Sequence, residues 1–115
     1  MKNANEQYAH FYGSNSWNLH WFGLVYSEGV KALCDDCTAY WLLDLIASYQ
    51  TESIFKEEGF QVWRMIRLEK ETFQITVSNG NGKILIKKEI EGIDFLYDAL
   101  TLWCIESSVI LPSEY

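Results

Sequence analysis

A chain of 115 residues, 49% hydrophobic and 16% aromatic, is the size of one domain and far too apolar to be a disordered segment. Sixteen acidic against nine basic residues give a formal net charge of −7, the wrong sign for gripping a nucleic-acid backbone by counterion release. No apolar run reaches the roughly 18 residues that a bilayer crossing needs, and the opening Met1-Lys2-Asn3-Ala4-Asn5-Glu6 has no apolar signal core, so a cytoplasmic protein without membrane contact is expected.

Asn3 is placed to cap a short helix through Phe11, with Tyr8, Phe11 and Tyr12 on one side before Gly13-Ser14-Asn15 stops it. The aromatic-rich stretch from Trp17 to Tyr26 suggests a short strand near Phe22 to Val25. Ser27, followed by Glu28 in a first turn, opens a second short helix to about Cys34. From Thr38 to Tyr49 the pattern is stronger: Thr38 is read as the cap, and Trp41, Leu42, Leu45, Ile46 and Tyr49 recur at steps of three and four. This spacing predicts the central apolar helix.

Period-two alternation follows. Phe60, Val62, Arg64, Ile66 and Leu68 interleave with Gln61, Trp63, Met65 and Arg67, and Phe73, Ile75 and Val77 with Gln74, Thr76 and Ser78. A third run, Lys83 to Glu91, alternates with exceptions at Leu85 and Lys88, and Asn79-Gly80-Asn81-Gly82 before it supplies residues suited to a primed hairpin turn. Residues 94–108 read either as a helix carrying Leu96, Ala99, Leu100 and Trp103, which is the reading preferred, or as a buried strand through Leu102 to Ile105. Val109-Ile110-Leu111 reads as a last strand, with Pro112 marking an edge or an exit. Without linker or repeat, the expectation is one α+β domain over 1–115. Its architecture is an antiparallel β-meander packed against a central apolar helix, with short N-terminal helices.

Few residues point to chemistry. Cys34 and Cys37 have the spacing of a zinc knuckle or a dithiol, but only His10, His20 and Cys104 could add nitrogen or sulfur ligands. Asp35 and Asp36 would raise rather than lower a neighbouring thiol pKa. A helix-ending pair of small residues is favoured, no metal or other cofactor is expected, and the odd count of three cysteines argues for reduced thiols. Asp44 lies between Leu43 and Leu45 in the apolar helix, so its carboxylate should be partly buried and held by Tyr40 or Ser48, one turn away on either side. His20 beside Trp21 is read as a satisfied histidine in an aromatic cluster. Trp63 and Glu114 complete the set of candidate binding or buried polar residues. No phosphate-cradling glycine loop, nucleophile elbow, His-Glu-x-x-His or calcium loop occurs.

The segments Ala39-Tyr40-Trp41-Leu42-Leu43-Asp44-Leu45-Ile46-Ala47-Ser48 and Leu111-Pro112-Ser113-Glu114-Tyr115 resemble a family of small bacterial proteins classed as a domain of unknown function. His20-Trp21 and Ser27-Glu28-Gly29-Val30-Lys31 are similar to two more of its motifs. The resemblance runs along nearly the whole chain and implies a single domain of bacterial or mobile-element origin; Cys34 and Cys37 depart from the pattern. It brings no catalytic residues. The aromatic surplus, the charge and the lack of catalytic motifs together suggest a non-enzymatic module that binds another protein, or its own copies as a homo-oligomer. From a phage or mobile element, that partner would be a host factor. The alternative is a small-molecule binder or enzyme with a pocket between the 38–49 helix and the sheet, lined by His20, Tyr40 and Asp44.

Overall fold

A computed structural model describes residues 2–13, 16–20 and 23–115. Asn3 accepts a hydrogen bond from the Asn5 amide and caps α1 (Ala4–Gln7). The helix stops short of Phe11, because Tyr8 commits its side chain elsewhere: its hydroxyl donates to Asp36 at 2.5 Å and its ring meets Tyr97 edge-on. β1 (Trp17–Leu19) and β2 (Val25–Ser27) then pair antiparallel. The expected strand is thus displaced to start at Val25, and of the expected segments Ser14, Asn15, Trp21 and Phe22 lie outside the described residues.

Ser27 caps α2 (Glu28–Cys37) by accepting from the Val30 amide, and the helix runs one turn beyond Cys34. Thr38 does not start the next helix. It sits at φ +51° and ψ +48° as the left-handed terminus of α2, and α3 (Tyr40–Tyr49) begins from Ala39 without a side-chain cap. Two helices joined this tightly need a left-handed residue to reverse the chain, and that demand overrides the extended conformation an N-cap requires. A single turn, α4 (Ser53–Lys56), leads into the sheet.

The three alternating segments are β3 (Phe60–Glu69), β4 (Thr72–Asn79) and β5 (Ile84–Ile90), an antiparallel meander with Trp63 opposite Val77 and Thr76 opposite Lys87. In the β4–β5 turn only Gly82 has positive φ, at +84°, while Gly80 and Asn81 do not. The Gly82 amide bonds the Asn79 carbonyl, the Asn79 side chain accepts from the Asn81 and Lys83 amides, and the ladder shifts register at Val77/Ser78. This is a turn followed by a glycine bulge rather than a primed two-residue turn.

The preferred helix over 94–108 is absent. Ala99–Ile105 is β6, paired antiparallel with β3 over its full length, and Glu106 and Ser107 turn the chain into β7 (Ser108–Ile110) with φ of +48° and +67°. Pairing with β3 on one side and β7 on the other satisfies its backbone along both edges, which a helix in this place would forgo. β7 is not an edge: it lies between β6 and β2, parallel to β2, and Pro112 marks the exit into a short 3₁₀ turn (Pro112–Glu114). The resulting seven-stranded sheet has the order β1-β2-β7-β6-β3-β4-β5. Where β7 leaves the edge of β6 open, the N-terminal segment covers it: the Lys2 carbonyl accepts from Asp98 and Ala99, and the Asn5 side chain bonds both backbone groups of Thr101.

One face of this sheet makes the core. Trp63, Met65, Ile75, Val77, Leu100 and Leu102 are buried beneath Leu42, Leu43 and Ile46 of α3, and the Trp63 ring packs against the touching pair Tyr49 and Phe55, with centroids about 6 Å from each. Gln61 on that face exchanges two hydrogen bonds with Gln50 and accepts a third from the Trp63 indole, and among the described residues no buried side-chain nitrogen or oxygen lacks a partner. Among the described residues the opposite face carries no long helix. Among the described residues no helix is long and apolar enough to cross a membrane.

Candidate functional site

The residues singled out in the sequence do not converge on one site. His20 is buried and its Nε2 lies 2.7 Å from Oδ1 of Asp44, whose side chain is 54% exposed. Asp44 is therefore not sunk among its leucine neighbours, as expected, but sits at the rim of the apolar stripe and is held by His20. Neither expected partner serves it: Tyr40 donates to Asp35 at 2.5 Å, and Ser48 donates to the Leu45 carbonyl. Asp35 also pairs with Lys31, and the two contacts, Tyr40 first, hold its carboxyl below the usual carboxylate range, whereas burial first and Asp35 second push the Tyr40 hydroxyl up.

Between α3 and the sheet, where a ligand pocket was the alternative expectation, the cavity among Leu42, Trp63, Met65 and their neighbours holds about 10 Å³, while an open cleft of about 370 Å³ lies beside the start of α3 at Thr38, Trp41 and Ile93. The cavity has room for about one water at most, against the roughly 300 Å³ of a small-molecule site. Trp63 belongs to this packed layer.

Glu114 is buried for a structural reason visible in its partners. Its carboxylate accepts from the Ser27 hydroxyl, from the Gly29 amide at 3.1 Å and from the Leu111 amide at 2.9 Å, and so neutralises unpaired donors at the start of α2. Gly29 has to be small: a Cβ there would stand 2.7 Å from Leu111 Cδ1 and 2.9 Å from the Glu114 carboxyl. Two of the sequence motifs are thus halves of one buried joint.

Cys34, Cys37 and Cys104 are all buried free thiols. Burial, reinforced by Cys37 and Asp35, pushes the Cys34 thiol up to about 12, burial does the same for Cys104, and Cys37 is also raised, by burial first. The Cys34 thiol donates to the Ala39 carbonyl. Among the described residues no three His, Cys, Asp or Glu side chains gather as a metal-binding group.

The open face of the sheet holds a different constellation, which no motif in the sequence marks. On β3 and β6 the outward residues pair Phe60 with Ile105, Val62 with Trp103 and Arg64 with Thr101. The rings of Phe60, Trp103 and Tyr115 form a row with centroid spacings of 5.2 and 5.5 Å, Tyr115 is 82% exposed, and Trp17 borders the same surface. Two open clefts flank the row, one of about 300 Å³ bearing Arg64, Thr101, Trp103 and Ser113, the other of about 360 Å³ bearing Trp17, Ile105, Ile110 and Tyr115. The Arg64 side chain is exposed and makes no ion pair or hydrogen bond among the described residues.

A family model covers residues 2–115, essentially the whole described chain. The chain belongs to the family of unknown function DUF6876. No curated protein and no solved structure matches it. In this DUF6876 member, Ala39 to Ser48 builds the core helix, while Ser27 to Lys31 and Leu111 to Tyr115 form the buried joint around Glu114.

Proposed function

We propose that this DUF6876 protein is a non-enzymatic protein–protein interaction module whose contact surface is the open face of the sheet. The observation that supports this reading most directly is the Phe60–Trp103–Tyr115 row, half-buried at Phe60 and Trp103 and 82% exposed at Tyr115, beside an Arg64 whose side chain has no ion-pair or hydrogen-bond partner among the described residues. Tyr, Trp and Arg are the side chains that dominate binding hot spots, and a sheet face carrying such a row unpartnered is an unusual use of apolar surface in a monomer. The partner is a second protein with an apolar patch that presents a carboxylate or carbonyl to Arg64. Its wider surface is basic, because a chain of net charge −7 steers cationic surfaces toward itself.

The test is differential capture from a lysate of the native host with three baits: wild type, Arg64→Glu/Tyr115→Ala, and Asp35→Asn/Asp44→Asn on the helical side. Proteins retained by the first and third but lost by the second support the reading. Retention by all three, or loss with the helical-side variant alone, would refute it.

A further inference from the structure

The sheet ends at β5, and that edge has the composition of a self-complementary strand. We propose that two copies of the chain join edge to edge through β5, antiparallel about a twofold axis at Lys88, into one continuous fourteen-stranded sheet. This goes beyond the heterologous contact assigned above to the open face and does not depend on it.

β5 is the last strand of the sheet, paired only with β4, and among the described residues no other backbone group bonds its free side. Such a row of unpaired donors and acceptors is either guarded or used. A twofold axis at Lys88 sets Lys87 of each copy opposite Glu89 of the other, and Ile86 opposite Ile90, each pair occurring twice. Because facing residues in an antiparallel ladder point to the same side, both Lys87–Glu89 pairs fall on the open face and both isoleucine pairs on the helical face, where Ile86 and Ile90 pack against the core. Lys87 and Glu89 are exposed, and neither makes an ion pair among the described residues of its own chain.

The one like-charge meeting, Lys88 with its own copy, is relieved in advance: its ammonium is drawn to the Tyr49 hydroxyl at 3.3 Å and lies over that ring at 5.6 Å. Shifting the axis by one residue to Lys87 sets Lys87 against itself on the open face and Ile86 against Lys88, so the charges select the register. Charge also selects the edge. A chain of net charge −7 repels its copies over most of its surface, yet residues 83–91 hold three lysines against two glutamates.

Sedimentation equilibrium of the full chain, over a concentration series, reads the result. The wild type should reach twice the chain mass, Lys87→Glu and Glu89→Lys should each shift association at least about tenfold toward monomer, and the double variant Lys87→Glu/Glu89→Lys should restore the wild-type curve. Both positions are exposed, and cooperative melts matching wild type at a concentration low enough for wild type to be monomeric confirm that the variants fold. Arg64→Glu/Tyr115→Ala should dimerise as wild type does, which separates this edge from the open face. A wild type that is monomeric up to about 1 mM, single variants that still dimerise normally, a double variant that stays monomeric, or loss of the dimer in Arg64→Glu/Tyr115→Ala would each overturn the proposal.

Discussion

The Ser27 hydroxyl donates to the Glu114 carboxylate, tying the cap of α2 to a residue 87 positions later in the chain. Ser27 accepts from the Val30 amide while it donates to Glu114, and Glu114 in turn takes the Gly29 and Leu111 amides, so one buried carboxylate closes both the helix start and the C-terminal turn. Glu114→Ala should lower stability by about 3 kcal/mol, since three buried donors lose their acceptor, and Glu114→Gln by about 1 to 3 kcal/mol, since one acceptor oxygen remains. Urea unfolding of both variants beside Tyr115→Ala, whose side chain is 82% exposed and should be neutral, checks the order.

Thr38 holds a left-handed conformation that β-branched residues rarely adopt. Its side chain is exposed, so Thr38→Gly removes strain without opening a cavity, and a gain of about 1 kcal/mol is expected. A thermal melt shows it as an upward shift; a lower midpoint would mean that the threonine side chain holds the α2–α3 junction.

The three thiols should resist alkylation in the folded protein at pH 8 and react fully in denaturant, because burial disfavours their thiolates. The same shifts set a pH dependence. A thiol raised in the folded state contributes stability that is intact below its unfolded value of about 8.5 and is lost as pH rises toward the folded value of about 12 for Cys34 and Cys104. Stability should therefore fall on raising the pH from 8 to 11 by more in wild type than in a Cys34→Ala/Cys104→Ala variant, as chemical denaturation at each pH would show.

The His20–Asp44 pair joins a buried ring to a carboxylate that is half in water, so its contribution is modest. Asp44→Asn keeps an oxygen for His20 and should change stability by less than about 1 kcal/mol. His20→Ala, which empties a buried position, should cost more. Melts of the two variants at one pH and salt concentration establish the ranking, and an equal or greater loss for Asp44→Asn would place that carboxylate in the interior.

The legible parts of the fold were those fixed by short-range rules. The Ser27 cap, the stripe from Trp41 to Tyr49 and the three alternating strands follow from residues a few positions apart, and each appears as expected. What the sequence hid was decided across the chain. β6 reads as helix or strand in isolation, and only β3 and β7 on its two sides make it a strand. Asp44 looked buried from its flanking leucines because helix rotation, which turns it to the rim beside His20, is set by how α3 lies on the sheet. The Trp103 and Tyr115 rings of the open face are twelve residues apart in sequence and meet only through the β6–β7 hairpin and the turn at Pro112. A signal was available in Arg64, a charged residue at a central-strand position, though period two alone did not say which face of β3 would stay open.

The open face is the central claim, and the affinity of a captured partner, purified and titrated calorimetrically against variants of the chain, tests it most directly. Arg64→Glu/Tyr115→Ala should weaken Kd by about thirtyfold or more, the loss of roughly 2 kcal/mol that marks a hot spot. Asp35→Asn/Asp44→Asn, on the helical side, should leave Kd within about threefold of wild type. An affinity untouched by the first pair of substitutions and abolished by the second would contradict the account and move the contact surface to the helices.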